Sequence, residues 1–239
     1  MDQLWLAIVQ WLHTVGLHVD AGAARSVAEG AARATAQLDM PGLLALAAAL
    51  GWASGFRLYA VVFLVGGMGA AGWLALPSGL QVLQHPAVLA ASGFMLLVEF
   101  FADKVPWLDS AWDALHTVIR VPAGALLAAG VFGADNATLA VAAGLLGGSL
   151  SATALATKMT TRAAVNTSPE PFSNWGLSFL EDGLVVAVVW LATQYPLWFG
   201  VALVLMLIVS ALLLVLLFSF LRAVIGRVSR FFSGSPGVA

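Results

Sequence analysis

The sequence predicts an all-α, polytopic membrane protein of about six transmembrane helices. Three observations predict it. Apolar residues make up 61% of the 239, where a soluble domain carries about 45–50%. Charged residues make up only 9%, against about 25% in a soluble domain. Uncharged or nearly uncharged runs recur at lengths suited to a hydrocarbon core about 30 Å thick. The net charge of −2 implies no basic face for nucleic acid. The absence of cysteine excludes disulfides, thiolate metal sites and cysteine catalysis.

The elements follow in order. Residues 1–40 form an amphipathic N-terminal region. Leu4, Ile8, Trp11, Leu12 and Val15 share one helical face, and Asp20 can cap a second, Ala-rich helix with Arg25, Glu29 and Arg33 four residues apart. Met1-Asp2-Gln3 is acidic and the first basic residue is Arg25, so insertion is expected to use internal segments. The transmembrane domain covers 41–222. Its first span, Gly42 to Ala70, would be about 43 Å long as one helix, longer than the core. It must tilt, protrude or break, and Gly51-Trp-Ala-Ser-Gly55 is where a break is easiest. Further spans are expected from Pro86 to Phe101, Trp112 to Gly133, Thr138 to Thr157, Trp175 to Gln194 and Leu197 to Phe220. A basic tail, 223–239, closes the chain.

Lysine and arginine placement orients these spans. With the N-terminus inside, the inner segments hold Arg25, Arg33, Lys104, Lys158, Arg162, Arg222, Arg227 and Arg230. The outer loops 71–85, 134–137 and 194–197 hold none. The expected location is a bacterial cytoplasmic (inner) membrane with both termini cytoplasmic. The spans group as three plus three (about 41–133 and 138–222), the second triplet starting from the opposite side. Ala47-Ala-Ala-Leu-Gly51 resembles Ala143-Gly-Leu-Leu-Gly147, which adds to the expectation of an inverted repeat with broken or re-entrant segments and a site near the midplane.

Candidate functional residues concentrate around the second and third spans. Seven ionisable side chains fall between Glu99 and Arg120. Charge at membrane depth costs about 2.5–3.5 kcal/mol per residue on insertion scales, so such groups must pair or face water. Arg57 and Arg120 keep their protons and need anionic partners. Arg57, Arg120, Lys158, Arg162 and Asn166 are candidates to engage an anionic substrate. Glu99, Asp103, Lys104, Asp113, Glu170, Glu181 and Asp182 are candidates to couple protons or cations. An internal salt-bridge set is the plainer alternative. Glu181 and Asp182 project about 100° apart on a helix, which argues for different partners. Asp109 reads as a helix cap. Asp113, His116 and Arg120 form a stripe suited to a proton relay. The loop from Lys158 to Asn174, broken by two prolines, is either a surface loop or a segment lining a cavity. No zinc-ligand spacing, P-loop or dinucleotide fingerprint occurs, so neither a metal nor a cofactor is expected.

Gly51-Trp-Ala-Ser-Gly-Phe-Arg57-Leu-Tyr59, Glu99-Phe-Phe-Ala-Asp-Lys-Val-Pro106, and Asn166-Thr-Ser-Pro-Glu-Pro-Phe-Ser-Asn174 with Glu181-Asp182 are specific as a set. On these motifs the chain resembles a bacterial integral-membrane family catalogued as domain of unknown function 4126. The resemblance covers about residues 42–220 and implies a membrane protein carrying these charged motifs, with the N-terminal 40 residues an addition. It brings no activity with it.

The leading expectation is therefore a secondary transporter or lipid flippase for an anionic substrate, phosphate-bearing ones included, coupled to protons or cations. The alternatives are a cation or proton channel or exchanger built on the carboxylates, and a non-transporting membrane scaffold. An enzyme is the least supported reading. Membrane lipids are the expected surroundings, and so small a bundle suits homo-oligomers.

Overall fold

The computed structural model describes residues 38–105, 107–133, 136–167 and 171–232. The expected amphipathic helix of residues 2–18, Glu170 and the end of the basic tail lie outside them. Within them the chain is helical, with α1 Met40–Ala70, a short 3-10 segment Ser78–Gln84, α2 Pro86–Ala102, α3 Leu108–Phe132, α4 Ala137–Val165, α5 Pro171–Gln194 and α6 Pro196–Phe232. Five helices are long and apolar enough to cross a membrane, and the bent pair Ser78–Gln84 with Pro86–Ala102 makes a sixth candidate. The chain is thus an all-α polytopic membrane protein.

Local chemistry sets the helix ends. The Asp39 carboxylate accepts the N–H of Gly42 at 2.9 Å, with Pro41 in the first turn of α1. The His85 ring accepts from Ala87, and Pro86 starts α2. The Asn136 side chain accepts from Leu139 at the start of α4. Gly133 ends α3 at φ +56, which a residue without a Cβ adopts at no steric cost.

α1 is the central element. Of its most apolar window 72% is buried, against 6% for α6, which flanks the bundle. It is also broken. Arg57 sits at φ −144, ψ 80, outside helical geometry, two residues past the Gly51–Gly55 stretch. The break frees the Phe56 carbonyl, and Lys158 Nζ donates to it at 3.1 Å. A straight helix of this length would separate its ends by about 45 Å. Instead, Leu38, Met40 and Leu43 line one cavity with Ala75 and Leu76, just beyond the other end. Leu76 also packs against Gly69. α1 is therefore a helical hairpin with arms 40–56 and 58–70, entering and leaving at one face with Arg57 at its tip.

The remaining directions follow from side-chain register. Val131, Phe132 and Leu139, at the α3–α4 turn, line the same cavity as Met40 and so lie at the hairpin's open end. Ala129 and Ala125 pack on Gly144 and Gly148, and Ser151 bonds the Arg120 carbonyl, so α3 and α4 are antiparallel. Gly51 meets Gly147, Gly55 meets Ser151 and Ala154, and Lys158 reaches Phe56, so the first arm of α1 runs parallel to α4. The pair that was to lead the two triplets thus runs the same way. Reading α1 as one crossing reverses every later direction, whereas a hairpin restores it. Two arms and five further passes are odd in number, so the described chain starts at one face and ends at the other.

Small residues allow the close crossing. A Cβ on Gly51 would run into the backbone of Gly147, and one on Gly55 into the carbonyl of Ser151. Small residues at such seams let backbones approach where lipid supplies no hydrophobic drive between helices.

Candidate functional site

Every helix from α1 to α5 sends charge into one buried network. α1 contributes Arg57 at its break. The end of α2 contributes Glu99 and Asp103, one turn apart. On α3, Asp109, Asp113 and Arg120 fall on one inward stripe, as do Lys158, Arg162 and Asn166 on α4 and Asn174, Ser178 and Glu181 on α5. Arg57, Arg120, Lys158, Arg162, Glu99, Asp103, Asp109 and Asp113 have no exposed surface, and Glu181 is 2% exposed. Asp182 is the network's open edge, with 28% of its side chain exposed.

The geometry answers which helices pair. Arg57 lies 2.8 Å from Asp103 and 3.1 Å from Asp182, and donates to Ser178 Oγ at 2.9 Å. Arg120 bridges Glu99 at 2.5 Å and Asp113 at 2.6 Å. Arg162 holds Glu181 at 2.7 Å and reaches Asp103 at 3.4 Å and Asp109 at 3.5 Å. Lys158 is the hub. Its ammonium stands 3.0 Å from Asp113, 3.5 Å from Asp103, 3.7 Å from Glu181 and 3.8 Å from Glu99. Glu181 and Asp182 have different nearest partners, Arg162 and Arg57. Arg57 nevertheless stands between them, 3.8 Å from Glu181.

Asp103, past the end of α2, shows how the network sets charge. Burial alone would raise its carboxyl, but Lys158, Arg57 and Arg162 hold it below its ordinary value. Lys104, next in the chain, is turned outward. Its Nζ lies over the Phe100 ring and donates to the Phe100 carbonyl. Burial lowers its pKa, and Asp182 works in the opposite direction.

Several expectations change here. His116 does not join an Asp–His–Arg relay. Its Nδ1 is 2.8 Å from the Trp112 carbonyl, its ring stacks on Trp112, and Arg120 goes directly to Asp113. Asp109 is not the cap: α3 starts at Leu108, after Trp107, and Asp109 lies in its first turn. It accepts from the Ser110 N–H and from Asn166 Nδ2 at 3.0 Å. Asn166 is engaged on both sides, since its Oδ1 accepts from Asn174. The network runs from the face where α2 gives way to α3 and α4 to α5, at Asp103, Asp109 and Asn166, to Arg120 and Glu181 midway along α3 and α5. Asn174, Ser178, Ser151 and Ser54 were missed as candidates. The spacing of Asn174, Ser178 and Glu181 at i, i+4 and i+7 was the available signal.

Beside the network lies an apolar cleft of about 370 Å³ between α1, α4, α5 and α6. Trp52, Phe56, Leu184, Met206 and Val209 supply apolar wall, Ser210 lies on α6, and the ionisable groups lining it are Lys158 and Glu181.

One protein-family model matches the chain over residues 44–216, described as a domain of unknown function (DUF4126). No curated protein and no solved structure matches.

Proposed function

The chain belongs to the DUF4126 family, and from its buried site we propose that it is a proton-coupled transporter of an anionic amphiphile. The observation that carries this is the position of Lys158, which touches four carboxylates and also lines an apolar cleft. An apolar chain fits the cleft wall, and an anionic headgroup such as a phosphate fits the ammonium. In the resting state the carboxylates occupy Lys158. A proton held on one of them loosens their grip on the ammonium and leaves it to the headgroup, so proton and anion move together. Arg57, Arg120 and Arg162 hold the carboxylates in place around it. Lysine and arginine placement supports the network face as cytoplasmic.

The test is flux of a single-chain alkyl phosphate into proteoliposomes under an imposed pH gradient. The wild type is expected to accelerate uptake when protons run the same way. Ser210→Phe places a ring in the cleft and removes no charged group. It should abolish uptake while leaving the melting temperature near the wild type. Unchanged uptake in that variant would sink the reading. The surplus of carboxylates over cations favours a second reading, a proton or cation exchanger. Gradient-driven cation flux with no dependence on the alkyl phosphate would select it. No flux of either kind moves weight to a scaffold.

A further inference from the structure

We infer that Glu99 carries a proton in the resting protein and is the network's proton-binding site. Its link to transport rests on the reading above, while the site itself is argued from charge and geometry.

Counting Lys104 at the edge, five cations face six carboxylates: Arg57, Arg120, Lys158, Arg162 and Lys104 against Glu99, Asp103, Asp109, Asp113, Glu181 and Asp182. One buried negative charge is left over, and an uncompensated buried charge is costly enough that the group neutralises instead. The distances say which group. Asp103 has three cations within 3.5 Å. Glu181 has Arg162 on both oxygens. Asp109 accepts two bonds from Asn166 and one from the Ser110 N–H. Asp182 reaches the surface and keeps Arg57. Asp113 has Arg120 at 2.6 Å and Lys158 at 3.0 Å. Glu99 shares that same Arg120, lies 3.8 Å from Lys158, and is fully buried. Both of its cation contacts fall on Oε1, and its Oε2 is buried with no hydrogen-bond partner; Asp103 Oδ1 and Asp113 Oδ2 are unpartnered too, but those carboxyls hold Lys158 at 3.5 and 3.0 Å, closer than Glu99 does. A proton from the bulk bonds to Oε2 while Oε1 stays with Arg120.

The charged and titratable groups around Glu99 come from every neighbouring helix. Arg57 and Tyr59 belong to α1, Asp103 follows α2, and Asp113, His116 and Arg120 belong to α3. Lys158 comes from α4, and Glu181 from α5 reaches the same ammonium. Among the described residues no three carboxylate or imidazole groups converge on a position that could hold a metal ion. A proton on one oxygen therefore balances the charge where a shared cation has no seat.

The test uses the purified full-length protein. An infrared difference spectrum between neutral and alkaline pH should show a protonated carboxylic C=O band that Glu99→Gln removes. Its absence at neutral pH, or its survival in the variant, would overturn the inference. Glu99→Gln should also melt with the wild type at pH 7, because an amide replaces a neutral acid, whereas Asp103→Asn should not. A loss in Glu99→Gln as large as that in Asp103→Asn would mean an ionised Glu99 and overturn it too. So would stabilisation by sodium or magnesium over choline that Glu99→Gln abolishes. A Glu99 band without proton-linked alkyl phosphate flux would leave the site standing and fail the transport reading alone.

Discussion

At the scale of single residues, the network divides into groups fixed as ions and groups free to change. Asp103 is the clearest fixed ion, because three cations hold its carboxyl below the ordinary value against the opposing effect of burial. A folded-state pKa below the unfolded one gives stability that is present above the unfolded value, about 3.9 for Asp, and is lost as pH falls through the folded value. The melting temperature of the wild type should therefore fall on acidification below that range. Asp103→Asn should remove part of this dependence and lower stability at neutral pH by about 3–5 kcal/mol, the cost of leaving buried partners uncompensated. Thermal melts across a pH series read both effects, and an unchanged acid limb in the variant would refute the assignment. Such pairing was legible only in part. That Arg57 and Arg120 needed carboxylates followed from their lasting charge. Which carboxylates they take is a matter of contacts between helices, which spacing along one chain does not encode.

At the scale of elements, α1 decides the arrangement. Its length exceeds the membrane core, and the chain resolves the excess by breaking. The Gly51–Gly55 stretch pointed to the right neighbourhood, but the break falls at Arg57. There a cation can stay among carboxylates, and Lys158 can satisfy the freed Phe56 carbonyl. The glycines serve the helix crossing instead. A Cβ at Gly147 would press on the Ala128 Cβ and on the Gly124 carbonyl. Gly147→Val should thus cost about 1–3 kcal/mol as overpacking, read as a lower melting temperature in detergent. Gly67, whose Cβ direction is open, makes the matched control, and Gly67→Val should cost far less. Equal losses at the two positions would refute the close crossing. The resemblance between Ala47–Gly51 and Ala143–Gly147 was visible in the sequence. The two segments meet face to face at Gly51 and Gly147, on helices that run the same way.

At the scale of the whole molecule, a hairpin followed by five passes separates the start of the described chain from its end. The chain has no cysteine, so single introduced thiols report sidedness without background. Met40→Cys and Gln81→Cys should be labelled by an impermeant reagent from the same side, and Thr167→Cys from the opposite side. All three parent residues are exposed. A straight first span would place residues 40 and 81 on opposite sides, so labelling of those two from different sides would refute the hairpin. The same arrangement draws charge from five helices into one cluster, where Asp182 is open and Glu99 is sealed.

The sequence by itself determined the class of the protein, the position of its long apolar segments and the identity of nearly every charged residue in the cluster. These follow from composition, from segment length against bilayer thickness, and from the cost of isolated charge in an apolar run. Only the tertiary structure decided that α1 folds back, that α4 runs parallel to its first arm, that His116 stands aside and that Lys158 is the shared cation. The physical reason is that hydropathy reports how much apolar chain there is and not where it goes. A helix of excess length can tilt or fold back with the same composition. The choice rests on contacts between residues far apart in sequence, such as Gly51 with Gly147, Arg57 with Asp103 and Lys158 with Phe56.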